Sequence, residues 1–202
     1  VIVGCDIGCS LLAWDFFNLD TVQTHHGRTI PLLTGLKRVR PELVVVAYMG
    51  DGGAYAIGAQ HLVSAATRDD PVVALVINNA VYAMTGGQMA PTTLPGQKTE
   101  TSPFGRDPEI SGYPFKGAEM AAAISSPHAY VARGTVANLR QLKGFLFRAL
   151  KNPHFSLVEV LSTCPTNWRT NPAETWKWVE EVLPEYYPLG EFKRGEQEGT
   201  GP

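Results

Sequence analysis

Apolar residues along this chain fall into two rhythms. Unbroken apolar runs at Val1 to Cys5, Leu43 to Met49, Val72 to Ile77 and Ser156 to Leu161 read as strands. A continuous run, rather than an alternating one, is what a sheet covered on both faces requires. Ala129 to Ala132 is a shorter fifth candidate. Between the runs, apolar positions recur at helical spacing. The helices predicted this way are Thr29 to Val39, Ala54 to Thr67 (Ile57, Leu62 and Ala65 along one face), Phe115 to Ile124, and Val136 to Leu150 (Leu139, Leu142, Leu146 and Ala149). A last helix, Asn171 to Leu183, opens on Asn171 as a cap with Pro172 at its first position.

The alternation of strand and helix predicts an α/β fold, with a mostly parallel sheet and helices on both faces. One stretch breaks it, from about Gly86 to Pro114, rich in Gly, Pro, Thr and Ser. A segment that long without structure of its own is expected to be functional or covered by a partner. The domain is therefore taken as residues 1–189. The polar, Gly-rich tail Gly190 to Pro202 is expected to be disordered.

Composition narrows the field. At 202 residues and 44% hydrophobic, the chain has enough apolar surface for one core without staples. Charged residues are 18%, which fits either a surface partly covered by another subunit or a compact α/β domain with large loops. Lys and Arg number 17 against 19 Asp and Glu, with no basic stripe, which argues against nucleic acid as a partner. No apolar run reaches the ~20 residues of a membrane span, and no signal peptide is visible. Three cysteines without a close pair (Cys5, Cys9 and Cys164) speak against a disulfide framework and for a reducing, cytoplasmic setting. The chain begins at Val1 inside an apolar run, as if a segment preceded it.

Candidate chemistry sits at two strand ends. Gly50-Asp51-Gly52-Gly53 follows one strand and opens a helix. Glycines there let backbone N–H groups approach phosphate oxygens, and the helix adds its positive end. Asn78-Asn79 ends the next strand, after the 25 residues from Gly53 to Ile77. Either motif alone is an ordinary turn. Together, on neighbouring parallel strands, they offer a carboxylate from Asp51, an amide oxygen from Asn79 and a backbone carbonyl, the hard oxygen donors that Mg²⁺ prefers.

The pairing of GDG with a later NN resembles the thiamine-diphosphate motif, and further stretches make the resemblance specific. Asn79-Ala80-Val81-Tyr82-Ala83-Met84-Thr85-Gly86-Gly87-Gln88, Ile7-Gly8-Cys9-Ser10, His26-Gly27-Arg28 and Cys164-Pro165-Thr166-Asn167-Trp168 resemble the beta subunits of the 2-oxoacid:ferredoxin oxidoreductases. Met89-Ala90-Pro91-Thr92-Thr93 has the flavour of members acting on 2-oxoglutarate or 2-oxoisovalerate. The resemblance runs from Val1 to about Lys193.

The resemblance implies oxidative decarboxylation of a 2-oxoacid to an acyl-coenzyme A, with electrons passed to ferredoxin. It implies Mg²⁺ held by Asp51, Asn79 and the carbonyl of Val81. It implies thiamine diphosphate among Gly8, Cys9, Ser10, His26, Gly50, Asp51, Gly52, Gly53, Asn79, Val81, Tyr82, Thr85 and Gly86, with His26 as the catalytic side chain. A partner alpha subunit is implied as the source of the glutamate that activates the aminopyrimidine, so the chain alone is expected to be inactive. Cys9 and Cys164 match two ligands of a [4Fe–4S] cluster. Four thiolates are needed, so the cluster is implied only for a complete subunit with an upstream CxxC. Cys5 reads as a small buried hydrophobe.

The sequence departs from the family pattern at Asp6 (commonly apolar or Gly), Gly53 (often Asp), Ala83 (Gly) and Arg169 (Gly). Elsewhere bland readings hold. His25 is expected at the surface, His61 and His154 as structural, and Arg28 as either an anion ligand or a partner-facing ion pair. Two rival functions remain: half of a non-redox thiamine-diphosphate decarboxylase, or a non-catalytic phosphate-binding or docking domain.

Overall fold

The computed structural model describes residues 1–195. Seven strands form one sheet in the order β2-β1-β3-β4-β6-β5-β7. They are β1 (Ile2–Cys5), β2 (Asp20–Gln23), β3 (Val45–Gly50), β4 (Val73–Asn78), β5 (Tyr130–Thr135), β6 (Ser156–Leu161) and β7 (Gly190–Arg194). The first six run parallel, and β7 lies antiparallel against β5. This is the α/β architecture that the strand and helix alternation predicts. The two strands missed in the sequence are the edges. β2 is almost wholly exposed and β7 only half-buried, so neither needs a continuous apolar run. The tail expectation is thereby corrected: Gly190–Arg194 is ordered, because its backbone completes the β5 edge. Residues 196–202, the remainder of that tail, lie outside the described residues.

Because each central strand is covered on both sides, successive side chains enter different cores. Ala47, Met49, Ala74 and Val76 pack with Ile30 and Leu33 of α1 (Thr29–Val39), Leu62 and Ala65 of α2 (Ala59–Thr67), and later with Ala118 and Ala121. Val46, Val73, Val158 and Val160 face the opposite side, with Leu142, Phe145 and Ala149. Between α2 and these later helices comes α3 (Pro108–Ser111), the single helix of the long loop. Ala118 and Ala121 belong to α4 (Gly117–Ile124), and Leu142 to Ala149 to α5 (Leu139–Lys151). The chain closes with α6 (Pro165–Trp168), α7 (Pro172–Lys177) and α8 (Leu183–Tyr186). Asn171 caps α7 with Pro172 at its first position, as expected, and Glu174 bonds back to the Asn171 N–H; the predicted single helix to Leu183 instead passes through a π-helical turn, Trp178–Val182, into α8.

The predicted single helix from Ala54 to Thr67 differs in one respect. It starts as a π-helical turn, Gly53–Ile57, before α2 begins. The Gly58 N–H donates to the Gly53 carbonyl at 2.9 Å, five residues back. Space is tight at this turn: a Cβ on Gly58 would lie 2.3 Å from the Gly53 carbonyl oxygen and 2.8 Å from that of Gly27, so only glycine lets the widened turn pack against the His26–Gly27 loop. Among the described residues, no helix is long and apolar enough to cross a membrane.

Candidate functional site

The parallel strands β1, β3, β4 and β6 are consecutive neighbours in the sheet. Their carboxyl ends therefore open side by side, next to the β1/β3 switch point where open α/β sheets bind ligands. A cavity of about 500 Å³ lies there. Ile7, Gly8, Cys9 and Ser10 enter it from the β1 end, Gly50 to Gly53 from β3, Asn79 and Val81 to Thr85 from β4, and Ser162 to Pro165 from β6. His26 joins from the loop after β2. Of the residues implied as cofactor ligands, Gly86 alone is not among the lining. It turns outward at φ 115°, its N–H bonded to the Ala83 carbonyl.

Asp51 is the cavity's buried carboxylate. β3 pairs with β4 as Gly50 opposite Ile77, so Asp51 and Asn79 emerge from adjacent strand ends. The Gly52 N–H donates to Asp51 Oδ1 at 3.0 Å, and the Thr92 hydroxyl donates to Oδ2. Burial pushes the Asp51 carboxyl up to about 7, against the lowering effect of those two donors. A buried carboxylate in that state is a group short of a cation. Asn79 Oδ1 accepts one N–H, from Val81 at 3.3 Å, which leaves a lone pair for a metal. Trp168 Nε1 donates to the Asn79 carbonyl at 3.0 Å, tying the Cys164–Trp168 segment to the same strand end.

The glycines make a cradle. A Cβ on Gly52 would come 2.0 Å from the Tyr82 ring, so the backbone there lies bare beneath an aromatic wall. The helix that begins at Asp51 presents its first amides at the same place. Bare backbone, helix amides, a cation-seeking carboxylate and an amide oxygen together suit a diphosphate with a divalent metal. The residues present fit that group.

The other polar side chains sort differently. Asn78, first of the asparagine pair, turns inward: its Nδ2 donates to Glu159 Oε1 at 2.7 Å and its Oδ1 accepts from the Ala80 N–H. Glu159 pairs with Arg133 across β6 and β5 at 2.7 Å, and Arg133 also binds Glu119 at 2.5 Å. Arg133 and Glu159 are fully buried. This charged chain holds the β4 end and was not legible in the sequence, because its members lie up to 81 positions apart. Arg106 was missed too. Its guanidinium donates to the carbonyls of Ala90, Pro91, Thr93, Ser111, Gly112 and Tyr113, and so it organises the long loop. That loop is how Thr92 reaches Asp51.

Cys9 and Cys164 line the same cavity. Cys9 is exposed at the cavity wall, and partial desolvation first, then the neighbouring Cys164 and Asp51, pushes its thiol up. Cys5 is fully buried in the core, as expected of a small hydrophobe. Among the described residues, no group of three His, Cys, Asp or Glu side chains is placed to hold a metal. Two thiols fall short of the four that a [4Fe–4S] cluster requires, so these residues alone do not fit one. Arg28 donates to the carbonyls of Gly27 and Ile57 and pairs with no carboxylate among the described residues. His25 is exposed, and His154 bonds Asp69 at 2.6 Å.

A family model described as thiamine pyrophosphate enzyme, C-terminal TPP binding domain, matches residues 6–160. The 2-oxoglutarate synthase subunit KorB of Archaeoglobus fulgidus is 43% identical over 180 residues, covering 89% of this chain and 65% of that subunit. The ketoisovalerate oxidoreductase subunit VorA of Methanothermobacter thermautotrophicus is 36% identical over 194 residues, covering 93% of this chain and 40% of that subunit. The chain thus spans less than two thirds of either relative. Among solved structures, a 2-oxoglutarate:ferredoxin oxidoreductase from Magnetococcus marinus, with 2-oxoglutarate, coenzyme A and succinyl-CoA bound, superposes with a TM-score of 0.83. It covers 97% of this chain and 72% of that one at 22% identity, a likeness of fold.

Proposed function

The chain belongs to the thiamine pyrophosphate enzymes, with relatives that are subunits of 2-oxoacid oxidoreductases, and from that premise we propose that it is the cofactor-binding beta-type subunit of a 2-oxoacid:ferredoxin oxidoreductase. The observation that carries this reading is the buried Asp51 carboxylate, facing the same cavity as Asn79 above a bare glycine backbone.

On this reading Asp51, Asn79 and the carbonyl of Val81 hold Mg²⁺. The amides of Gly52 and Gly53, at the helix start, hold the diphosphate. Thr92 orients Asp51 through its hydroxyl, and Tyr82 walls the cradle. His26, Gly8, Cys9 and Ser10 line the side toward β1. When bound, thiamine diphosphate supplies the nucleophilic carbon and the electron sink for loss of CO₂ from a 2-oxoacid. The protein's own part is placement, charge and exclusion of water. A partner alpha subunit contributes the glutamate for the aminopyrimidine, coenzyme A takes the acyl group, and ferredoxin takes the electrons. A [4Fe–4S] cluster at Cys9 and Cys164 needs two thiolates from outside the described residues, and no step is assigned to it. A site in the cytoplasm suits three free thiols.

Calorimetric titration of the 202-residue chain with thiamine diphosphate tests the reading. Binding is expected only with Mg²⁺ and is expected to be lost in Asp51→Ala. Equal binding by Asp51→Ala, or binding indifferent to Mg²⁺, sinks it.

A further inference from the structure

Asp6 is fully buried, yet one of its carboxylate oxygens has no hydrogen-bond partner. Its Oδ1 accepts from the Gly27 N–H at 2.7 Å and from the Thr29 hydroxyl at 3.3 Å. Its Oδ2 is the orphan. A buried unsatisfied carboxylate oxygen is costly and asks for a reason. Two neighbours supply one. A Cβ on Gly53 would lie 1.9 Å from Oδ2 and 3.5 Å from His26 Cε1, so the carboxylate occupies the space that a side chain at position 53 would fill. His26 Nδ1 stands 3.4 Å from the same Oδ2 and 2.9 Å from the Ile7 carbonyl oxygen.

The nearer of the two atoms that face Nδ1, the Ile7 carbonyl oxygen, can only accept. A lone pair at Nδ1 would be aimed at two oxygens, so the neutral ring carries its proton there. Nε2 is then the lone-pair nitrogen of a side chain that lines the cavity, and no hydrogen bond from the described residues engages it. We propose that Asp6 is a positioning residue for His26: seated against the bare Cα of Gly53, its carboxylate acts with the Ile7 carbonyl to hold the imidazole as the Nδ1–H tautomer and leaves Nε2 to accept a hydrogen bond or proton from a bound ligand. The identity of that ligand rests on the thiamine-diphosphate reading; the tautomer does not.

The test is a long-range ¹H–¹⁵N correlation spectrum of the ¹⁵N-histidine-labelled 202-residue chain at a pH where the ring is neutral, with His26 assigned through His26→Gln. The wild type is expected to show the Nδ1–H pattern. Asp6→Asn, which sets an amide N–H against Nδ1 in competition with the Ile7 carbonyl, is expected to raise the share of the Nε2–H pattern. Gly53→Ala, whose methyl group displaces the carboxylate without altering its charge, is expected to weaken the same preference, with the Ile7 carbonyl left as the acceptor at Nδ1. In the assembled enzyme, Asp6→Asn should lower kcat about tenfold or more with little change in KM, as a ring held in the wrong tautomer does. An Nε2–H pattern in the wild type overturns the proposal, and that spectrum stands even if the variants fail to fold. A fall in kcat with the Nδ1–H pattern unchanged overturns it too. Failure to bind thiamine diphosphate sinks the functional reading and leaves the tautomer measurement intact.

Discussion

Glycine 52 leaves room for a ring. Gly52→Ala would push a methyl group into Tyr82 at 2.0 Å, a contact that one of the two must give up. Overpacking of this kind costs about 1–3 kcal/mol, read as a lower urea midpoint. The loss should shrink in a Tyr82→Ala background, and equal losses in both backgrounds would mean that the ring is not the obstacle. The neighbouring Asp51 and Asn79 were legible in the sequence because each follows an apolar run that marks a strand end. Thr92 and Asp6 were not legible as members of the site. Thr92 meets Asp51 across 41 positions that include α2, β4 and the start of the long loop, and Asp6 registers only as a departure from a pattern until its oxygen is seen above Gly53. The asparagine pair also divides its labour in a way no dipeptide reveals, Asn79 toward the cavity and Asn78 toward Glu159.

Elements are held to one another by two charged devices. Arg133 on β5 binds Glu159 on β6 and Glu119 on α4, and both carboxylates keep its guanidinium firmly charged against the penalty of burial. Arg133→Met would leave Glu159 buried without its cation, and a loss of about 3–5 kcal/mol is expected by chemical denaturation. Since Glu159 also holds Asn78, cofactor affinity should fall with it. At the opposite end of the sheet, Asp69 joins the turn after α2 to the start of β6, accepting from the Phe155 N–H at 3.1 Å and bonding His154. Burial alone would raise its carboxyl, but hydrogen bonds from Ser126, His154 and Phe155 outweigh burial and hold it below the usual 3.8. A depressed carboxylate stabilises the fold above 3.8, and that contribution disappears as pH falls through the lower folded value. Wild type should therefore exceed Asp69→Asn in stability at pH 6, and the gap should close below about pH 4. A gap independent of pH would remove the carboxylate's charge from the account. Helix and strand centres were readable from apolar rhythm; β2 and β7 were not, because an edge strand carries polar residues on its open side.

For the molecule as a whole, the proposed division of labour predicts separable activities. The chain alone should bind thiamine diphosphate with Mg²⁺ yet show no oxidative decarboxylation until an alpha subunit is added, measured by reduction of ferredoxin or a dye. Turnover by the isolated chain would remove the partner's glutamate from the scheme. The α/β class was legible because strand and helix rhythms alternate over most of the sequence. The path of the long loop was not, since Arg106 gathers carbonyls from two separate stretches of it. One property of the sheet sets a dimension for whatever the protein binds. The four strand ends that carry the cavity are immediate neighbours, so they span three interstrand steps, roughly 14 Å at the usual ladder spacing. That pitch is a built-in ruler. It favours an elongated guest laid crosswise, head over one strand tip and tail over another, and it keeps the same gauge however the outer strands are lengthened or replaced.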